Sequence, residues 1–148
     1  MKTWAPTVTV ATVIARDGCY LMVEERDKHT QALVLNQPAG HLEPHESLSQ
    51  AALRETLEET GWHIELQGVL GIALYPAPGN GITYLRMTFL GKSLHRDENA
   101  ILDPDIHAVH WLDYEEICAS SARMRSPLVL ASIELQRRGI CYPLDLIY

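Results

Sequence analysis

Between Gly40 and Trp62 the chain reads GHLEPHESLSQAALRETLEETGW. This segment sets five carboxylates (Glu43, Glu46, Glu55, Glu58 and Glu59) against one cation, Arg54, and so carries −4 of the chain's formal charge of −7. On a helix, Glu55 neighbours Glu58 at i+3 and Glu59 at i+4. Each like-charge pair costs ~0.2–0.5 kcal/mol on an exposed helix, and Arg54 alone cannot neutralise three acids. A divalent cation can. Magnesium takes oxygen ligands in octahedral geometry and keeps several waters, so carboxylates converging from adjacent turns would suit one or two such ions. The same arrangement suits hydrolysis of a diphosphate. The cations neutralise phosphate charge and lower the pKa of a bound water, and a nearby carboxylate takes the proton. Gly40 lacks a Cβ, so its backbone can approach a ligand closely, with its carbonyl as an uncharged metal ligand. The competing explanation is a solvated acidic helix face.

These acids need a helix and a framework to hold it. Residues 46–60 contain good helix formers and no Gly or Pro, and Gly61 suits a C-terminal stop. Before them, Asn36-Gln37-Pro38-Ala39-Gly40 reads as a loop with two strong breakers. Residues 7–15 and 19–25 read as a hairpin around Arg16-Asp17-Gly18. Strands are expected at 64–75, 82–90 and 106–112, with 95–104 as a polar loop. Asp113 is expected to cap a short helix, and Ser126-Pro127 to open a last one that stops at Gly139. Strands and helices alternate irregularly, which predicts a mixed sheet flanked by helices.

At 148 residues the chain suits one domain, 47% hydrophobic and 21% charged. Its acidic balance argues against a nucleic-acid polymer or a membrane surface as partner, because both call for a basic face. Cys19, Cys118 and Cys141 are odd in number and widely spaced, which argues against a disulfide scaffold and fits a reducing compartment. No targeting segment is evident, and Pro76, Pro78, Gly79 and Gly81 interrupt the longest uncharged stretch. A cytoplasmic protein is expected.

The fixed pattern is Gly40, five residues, Glu46, seven residues, Arg54-Glu55, two residues, Glu58-Glu59, one residue, Gly61 and an apolar residue, Trp62. Seven such identities at fixed spacing arise by chance about once in a million chains. The pattern resembles the signature box of the Nudix hydrolases. One position departs: Thr56 stands where the family usually has an aliphatic residue. The resemblance implies a single Nudix domain over 1–148, an α/β/α sandwich with a mixed β-sheet carrying the box as loop-helix-loop. It implies Glu55, Glu58 and Glu59 as metal ligands with the Gly40 carbonyl, and Mg2+ as cofactor with Mn2+ as a substitute. Glu55 is the implied base by its position, with Glu59 close behind. Arg54 would orient the carboxylates, with Glu46 pairing to Arg54 in support. A further acid just before a late strand is implied, with Asp105 the candidate and Asp103 the alternative. Similarity outside the box, at Val8-Thr9-Val10-Ala11, Asn36–Glu43, Arg125–Val129 and Tyr142-Pro143-Leu144, is to family phosphatases. Those act on nucleoside tri- and diphosphates or hydroxymethylpyrimidine pyrophosphate and release phosphate. The implied partner is a small phosphorylated molecule, for a monomer or homodimer. Two rivals stand beside this reading: an ADP-ribose or ADP-sugar pyrophosphatase, and a non-catalytic Nudix-like nucleotide-binding regulator.

Four further residues are candidates for substrate contact. Arg86, mid-strand, could fork onto a phosphate or simply face solvent. Arg125 precedes the last helix, whose N-terminus favours anions. Trp4 and Tyr84 are candidates to stack on a base, against the commoner role of aromatics as core or cover. His41 and His45 are four apart, but Pro44 between them argues against a shared zinc.

Overall fold

The computed structural model describes residues 1–148. Strands β1 (Thr7–Arg16) and β2 (Cys19–Arg26) form the expected hairpin, with Asp17 at φ 51° and Gly18 at φ 80° in the turn. Two consecutive positive φ values match the right-handed twist of the strands they join. β3 (Leu33–Asn36) and β4 (Ala39–His41) follow, then helix α1 (Leu48–Thr60). The long antiparallel pair β5 (Trp62–Pro76) and β6 (Thr83–Arg96) precedes β7 (Ile106–Asp113), α2 (Tyr114–Ala119) and α3 (Pro127–Arg137).

The sheet runs β3-β2-β1-β6-β5, with β4 on β1 and β7 on β2. Only β1 and β6 run parallel, from Thr7 beside Tyr84 to Ile14 beside Gly91; the other pairs are antiparallel, so the sheet is mixed. Alternation along β1 feeds two cores. Val13 packs with Met22, Leu70, Ile117, Val129 and Ile133 under α2 and α3. Val10 packs with Ala51, Ala52, Val69, Met87 and Phe89 under α1, and Ile14 continues that face with Leu21 and Ile64. The period-2 pattern of the strand thus places one helical layer on each face.

Two expectations differ. The loop expected at 36–40 contains β4, whose Ala39, Gly40 and His41 pair with Ala11, Val10 and Thr9. Pairing to β1 satisfies backbone groups that a loop would have left to water. The strand expected to end near 90 runs on to Arg96 because β5 pairs it throughout. No helix is long and apolar enough to cross a membrane.

Candidate active site

α1 is capped at both ends by its own sequence. The Ser47 side chain accepts from the Gln50 amide, while the Gln50 side chain accepts from the Ser47 amide. Gly61 sits at φ 76° and its amide donates to the Leu57 carbonyl. Such a reciprocal cap and a left-handed glycine satisfy end groups that the helix leaves unpaired. Thr56, the departure from the family pattern, is fully buried, and its hydroxyl donates to the Ala52 carbonyl at 2.9 Å. The polar atom is satisfied, so the helix packs without an orphaned donor. Ala51 and Ala52 are small enough to bring α1 close to β1 and β5.

Arg54 is the hub of the site. Its Nε and Nη2 donate to the two carboxylate oxygens of Glu46 at 2.9 and 2.6 Å, a fork-to-fork pair. Nη1 reaches Glu55 at 2.8 Å and Glu58 at 3.2 Å, and Nη2 also donates to the His41 carbonyl at 3.0 Å. The guanidinium holds the Glu46 carboxyl down at about 2, and the Glu46 hydrogen bonds raise Arg54 in turn. The pairing of Glu46 with Arg54 and the contact of Arg54 with two box acids match the sequence reading.

Glu59 is 5% exposed, and its Oε1 accepts from the Ala39 amide at 2.8 Å. Burial pushes its carboxyl up to about 9 despite that bond, and Glu25, Glu55 and Asp103 push it further the same way. Glu55 is raised too, by burial first, with Arg54 opposing and Glu58 and Asp103 adding. A Cβ built at Gly40 would fall on the Glu55 carboxyl group. Only glycine lets that carboxylate lie against the β4 backbone.

Glu25, Glu55, Glu59 and Asp103 therefore lie within electrostatic range of one another, while Arg54 is committed mainly to Glu46. Hard oxygen donors with surplus negative charge fit a divalent cation better than any neutral ligand. No three acids, histidines or cysteines close on one point in this structure, Glu55, Glu58 and Glu59 included. Each is held by its own partner, Glu55 and Glu58 by Arg54 and Glu59 by the Ala39 amide.

The remaining candidates divide. Asp105 is exposed and pairs with Lys28 at 3.6 Å, and its charge, like that of Asp103, reaches Glu25. Asp103 takes the nearer place because its amide donates to the Glu58 carbonyl at 2.9 Å, which ties this loop to the end of α1. A cavity of about 340 Å³ lies between Glu58 and residues 101–104. Arg125 pairs with Glu25 at 3.3 Å and lines a second cavity of about 580 Å³ with Tyr75, Ser126, Pro127, Leu130 and Glu134. Tyr84 accepts a bond from Asn80 at 3.1 Å, and its ring lies 6.5 Å from that of His41. Trp4 is 71% exposed, so it is not core. Arg86 is not the solvent-facing residue that was its alternative reading: it is 7% exposed and donates to Gln37. Glu25 was missed; nothing in Cys19–Arg26 marks one acid above its neighbour Glu24 until the fold brings Glu25 within range of Glu59.

A mixed sheet between helical layers, with this acid-bearing loop and helix, defines the Nudix hydrolases. A model of the NUDIX domain matches residues 3–131, and the chain belongs to that family of enzymes acting on phosphoanhydrides. Among particular proteins, it is 40% identical over 142 residues to Phosphatase NudJ of Escherichia coli (strain K12), covering 96% of this chain and 90% of the relative. A solved NUDIX hydrolase from Nitrosomonas europaea superposes with a TM-score of 0.94 at 46% identity, covering 97% of each chain. A UDP-X diphosphatase shares the fold alone, with a TM-score of 0.74 at 16% identity over 94% of this chain and 66% of that one. Members of the family generally use divalent metals.

Proposed function

We propose that this enzyme is a magnesium-dependent phosphohydrolase, with manganese as a substitute, that releases phosphate from nucleoside tri- or diphosphates or from hydroxymethylpyrimidine pyrophosphate. The observation that carries the metal dependence is the surplus of carboxylates (Glu25, Glu55, Glu58, Glu59 and Asp103) over the two arginines that reach them, Arg54 and Arg125. Similarity to Phosphatase NudJ over nearly the whole chain supports release of phosphate.

Glu55, Glu58, Glu59 and the Gly40 carbonyl would hold the cation, with Asp103 rather than Asp105 as the acid from outside the helix. When bound, the cation supplies charge neutralisation and a more acidic water. Water oxygen attacks phosphorus, the anhydride P–O bond breaks toward the departing phosphate group, and the water proton passes to a carboxylate. Glu55 and Glu59 are the candidate acceptors: the Ala39 amide fixes the orientation of Glu59, and cation binding must first displace the proton that burial keeps on it. Arg54 is a positioning residue, holding Glu55 and Glu58 while Glu46 holds it. Arg125 and Tyr84 lie toward the last helix and the β6 end, where the rest of a substrate would rest; Trp4 is free to cover it.

The test is a phosphate-release screen over nucleoside tri- and diphosphates, hydroxymethylpyrimidine pyrophosphate and ADP-ribose, with and without Mg2+. Free phosphate only with metal is expected. A nucleoside monophosphate plus a sugar phosphate would replace this reading with an ADP-sugar pyrophosphatase, and tight binding without turnover would replace it with a regulator.

A further inference from the structure

Arg86 is a charge enclosed without a counter-charge. It is 7% exposed, at the middle of the sheet, beside Thr9 of β1 and Ala73 of β5. No carboxylate pairs with it, and its one hydrogen bond is from Nη2 to the Gln37 side-chain oxygen at 2.5 Å. Its Nε has no partner at all. Burial alone pushes the guanidinium down to about 10, so it stays charged at neutral pH. A buried charge normally has an ion partner or a full set of hydrogen bonds. This one has neither.

Gln37 is 1% exposed and is held from the other side. Its Nε2 donates to the Val129 carbonyl in the first turn of α3 at 2.7 Å. With the amide nitrogen thus occupied, only the oxygen is free to face Arg86. The pair is a brace from α3 to β6 that tethers one end of the guanidinium. Register places His41, Thr9 and Arg86 in one row across β4, β1 and β6, and Thr7, Tyr84 and Tyr75 in the next. His41 is exposed and the others apart from Arg86 are half-buried, so this end of the sheet face is open. It lies on the α3 side of β1, whereas Gly40 and the α1 acids lie on the other, and none of those acids contributes to the charge balance of Arg86.

We propose that Arg86, braced by Gln37, forms an oxyanion subsite on this sheet face, distinct from the acid cluster, that takes a phosphate group of the substrate. The missing counter-charge is supplied by the ligand, and the tethered guanidinium, its Nε enclosed, presents its Nη1–Nη2 edge as the planar fork that phosphate oxygens match. The hydrolase reading supplies the identity of the ligand; the subsite itself stands on the unpaired charge. Gln37 acts through Arg86 and is a positioning residue.

The experiment uses orthophosphate as probe on the full chain in EDTA, read by melting temperature, together with steady-state kinetics on a nucleoside triphosphate in Mg2+. Orthophosphate is expected to raise the melting temperature of the wild type and not of Arg86→Gln. KM is expected to rise about 10- to 100-fold in that variant with a much smaller change in kcat. Arg86→Lys, which keeps the charge but not the fork, is expected to fall between. Gln37→Glu guards against a folding defect. It puts a carboxylate on the guanidinium in exchange for the bond to the Val129 carbonyl, so it should stay folded by circular dichroism while losing the phosphate response and raising KM. If Gln37→Glu keeps both the phosphate response and the wild-type KM, Arg86 is only a brace and the proposal falls. It falls equally if a neutral pyrimidine nucleoside stabilises the wild type through Arg86 and orthophosphate does not. Metal-dependent turnover in a wild type that ignores orthophosphate overturns the subsite and leaves the hydrolase reading intact. A phosphate response lost in Arg86→Gln, in a protein that hydrolyses nothing, does the reverse.

Discussion

Arg54 and Arg86 are opposite solutions to the same side chain. Arg54, on the α1 side, touches Glu46, Glu55 and Glu58 and approaches Glu43 at 3.6 Å, in a site with more acid than it can neutralise. Arg86, on the α3 side, is more deeply buried and touches one neutral amide. The first region is short of positive charge and the second is short of negative charge. A metal–phosphate substrate carries both. The difference teaches that neither region is electrostatically complete alone: one calls for a cation and the other for an anion.

The largest effect expected from breaking this contrast is chemical. Glu59→Gln should lower kcat by a factor on the order of 10²–10⁴, measured as phosphate release in saturating Mg2+; a wild-type rate would remove Glu59 from the mechanism. Gly40→Ala comes next. Its methyl group would displace the Glu55 carboxylate, and a misplacement of this size costs about 10²-fold in rate, with little loss of secondary structure by circular dichroism.

Stability should separate the two arginines. Arg54→Met strands Glu46 and Glu55 and should lower the urea midpoint clearly below that of the wild type. Arg86→Met removes an unpaired buried charge while orphaning only the Gln37 oxygen, so it should lie within about 1 kcal/mol of wild type. Urea unfolding of both variants checks this, and equal losses would erase the distinction.

Protons should sharpen the picture on the acid side. Glu59 holds its proton in the fold up to about 9 and ordinarily loses it near 4.5, so the metal-free protein should lose stability as pH rises through that interval. Magnesium must displace that proton, so its stabilising effect should be larger at pH 8.5 than at pH 6; an equal melting shift at both values would contradict it. The smallest effect belongs to Glu46. Its carboxyl, held at about 2, contributes stability that is complete above its ordinary 4.5 and is lost as pH falls toward 2. Glu46→Gln should flatten the acid melting curve across that window.

Legibility followed sequence distance. The helix with its caps, its acids and the Arg54–Glu46 link could be read because i, i+3 and i+4 spacing and eight residues of separation are local geometry. Asp113, Ser126 and Gly139 were equally plain, each being a short-range capping signal. β4 was hidden because three residues with two breakers beside them carry no strand period, and only β1 makes them a strand. The choice between Asp103 and Asp105 was open for the same reason: two residues apart in a loop, they are told apart only by the bond from Asp103 to the end of α1.

By itself the sequence determined the family, the mixed α/β class and the acids of one helix, because each of these is written in spacing along the chain. Tertiary structure alone decided that Glu25 joins those acids, that Glu59 turns to the Ala39 amide, and that Arg86 meets Gln37 across 49 positions without a counter-charge. These depend on which strands lie side by side, and burial and charge balance are properties of neighbours in space that no local pattern encodes.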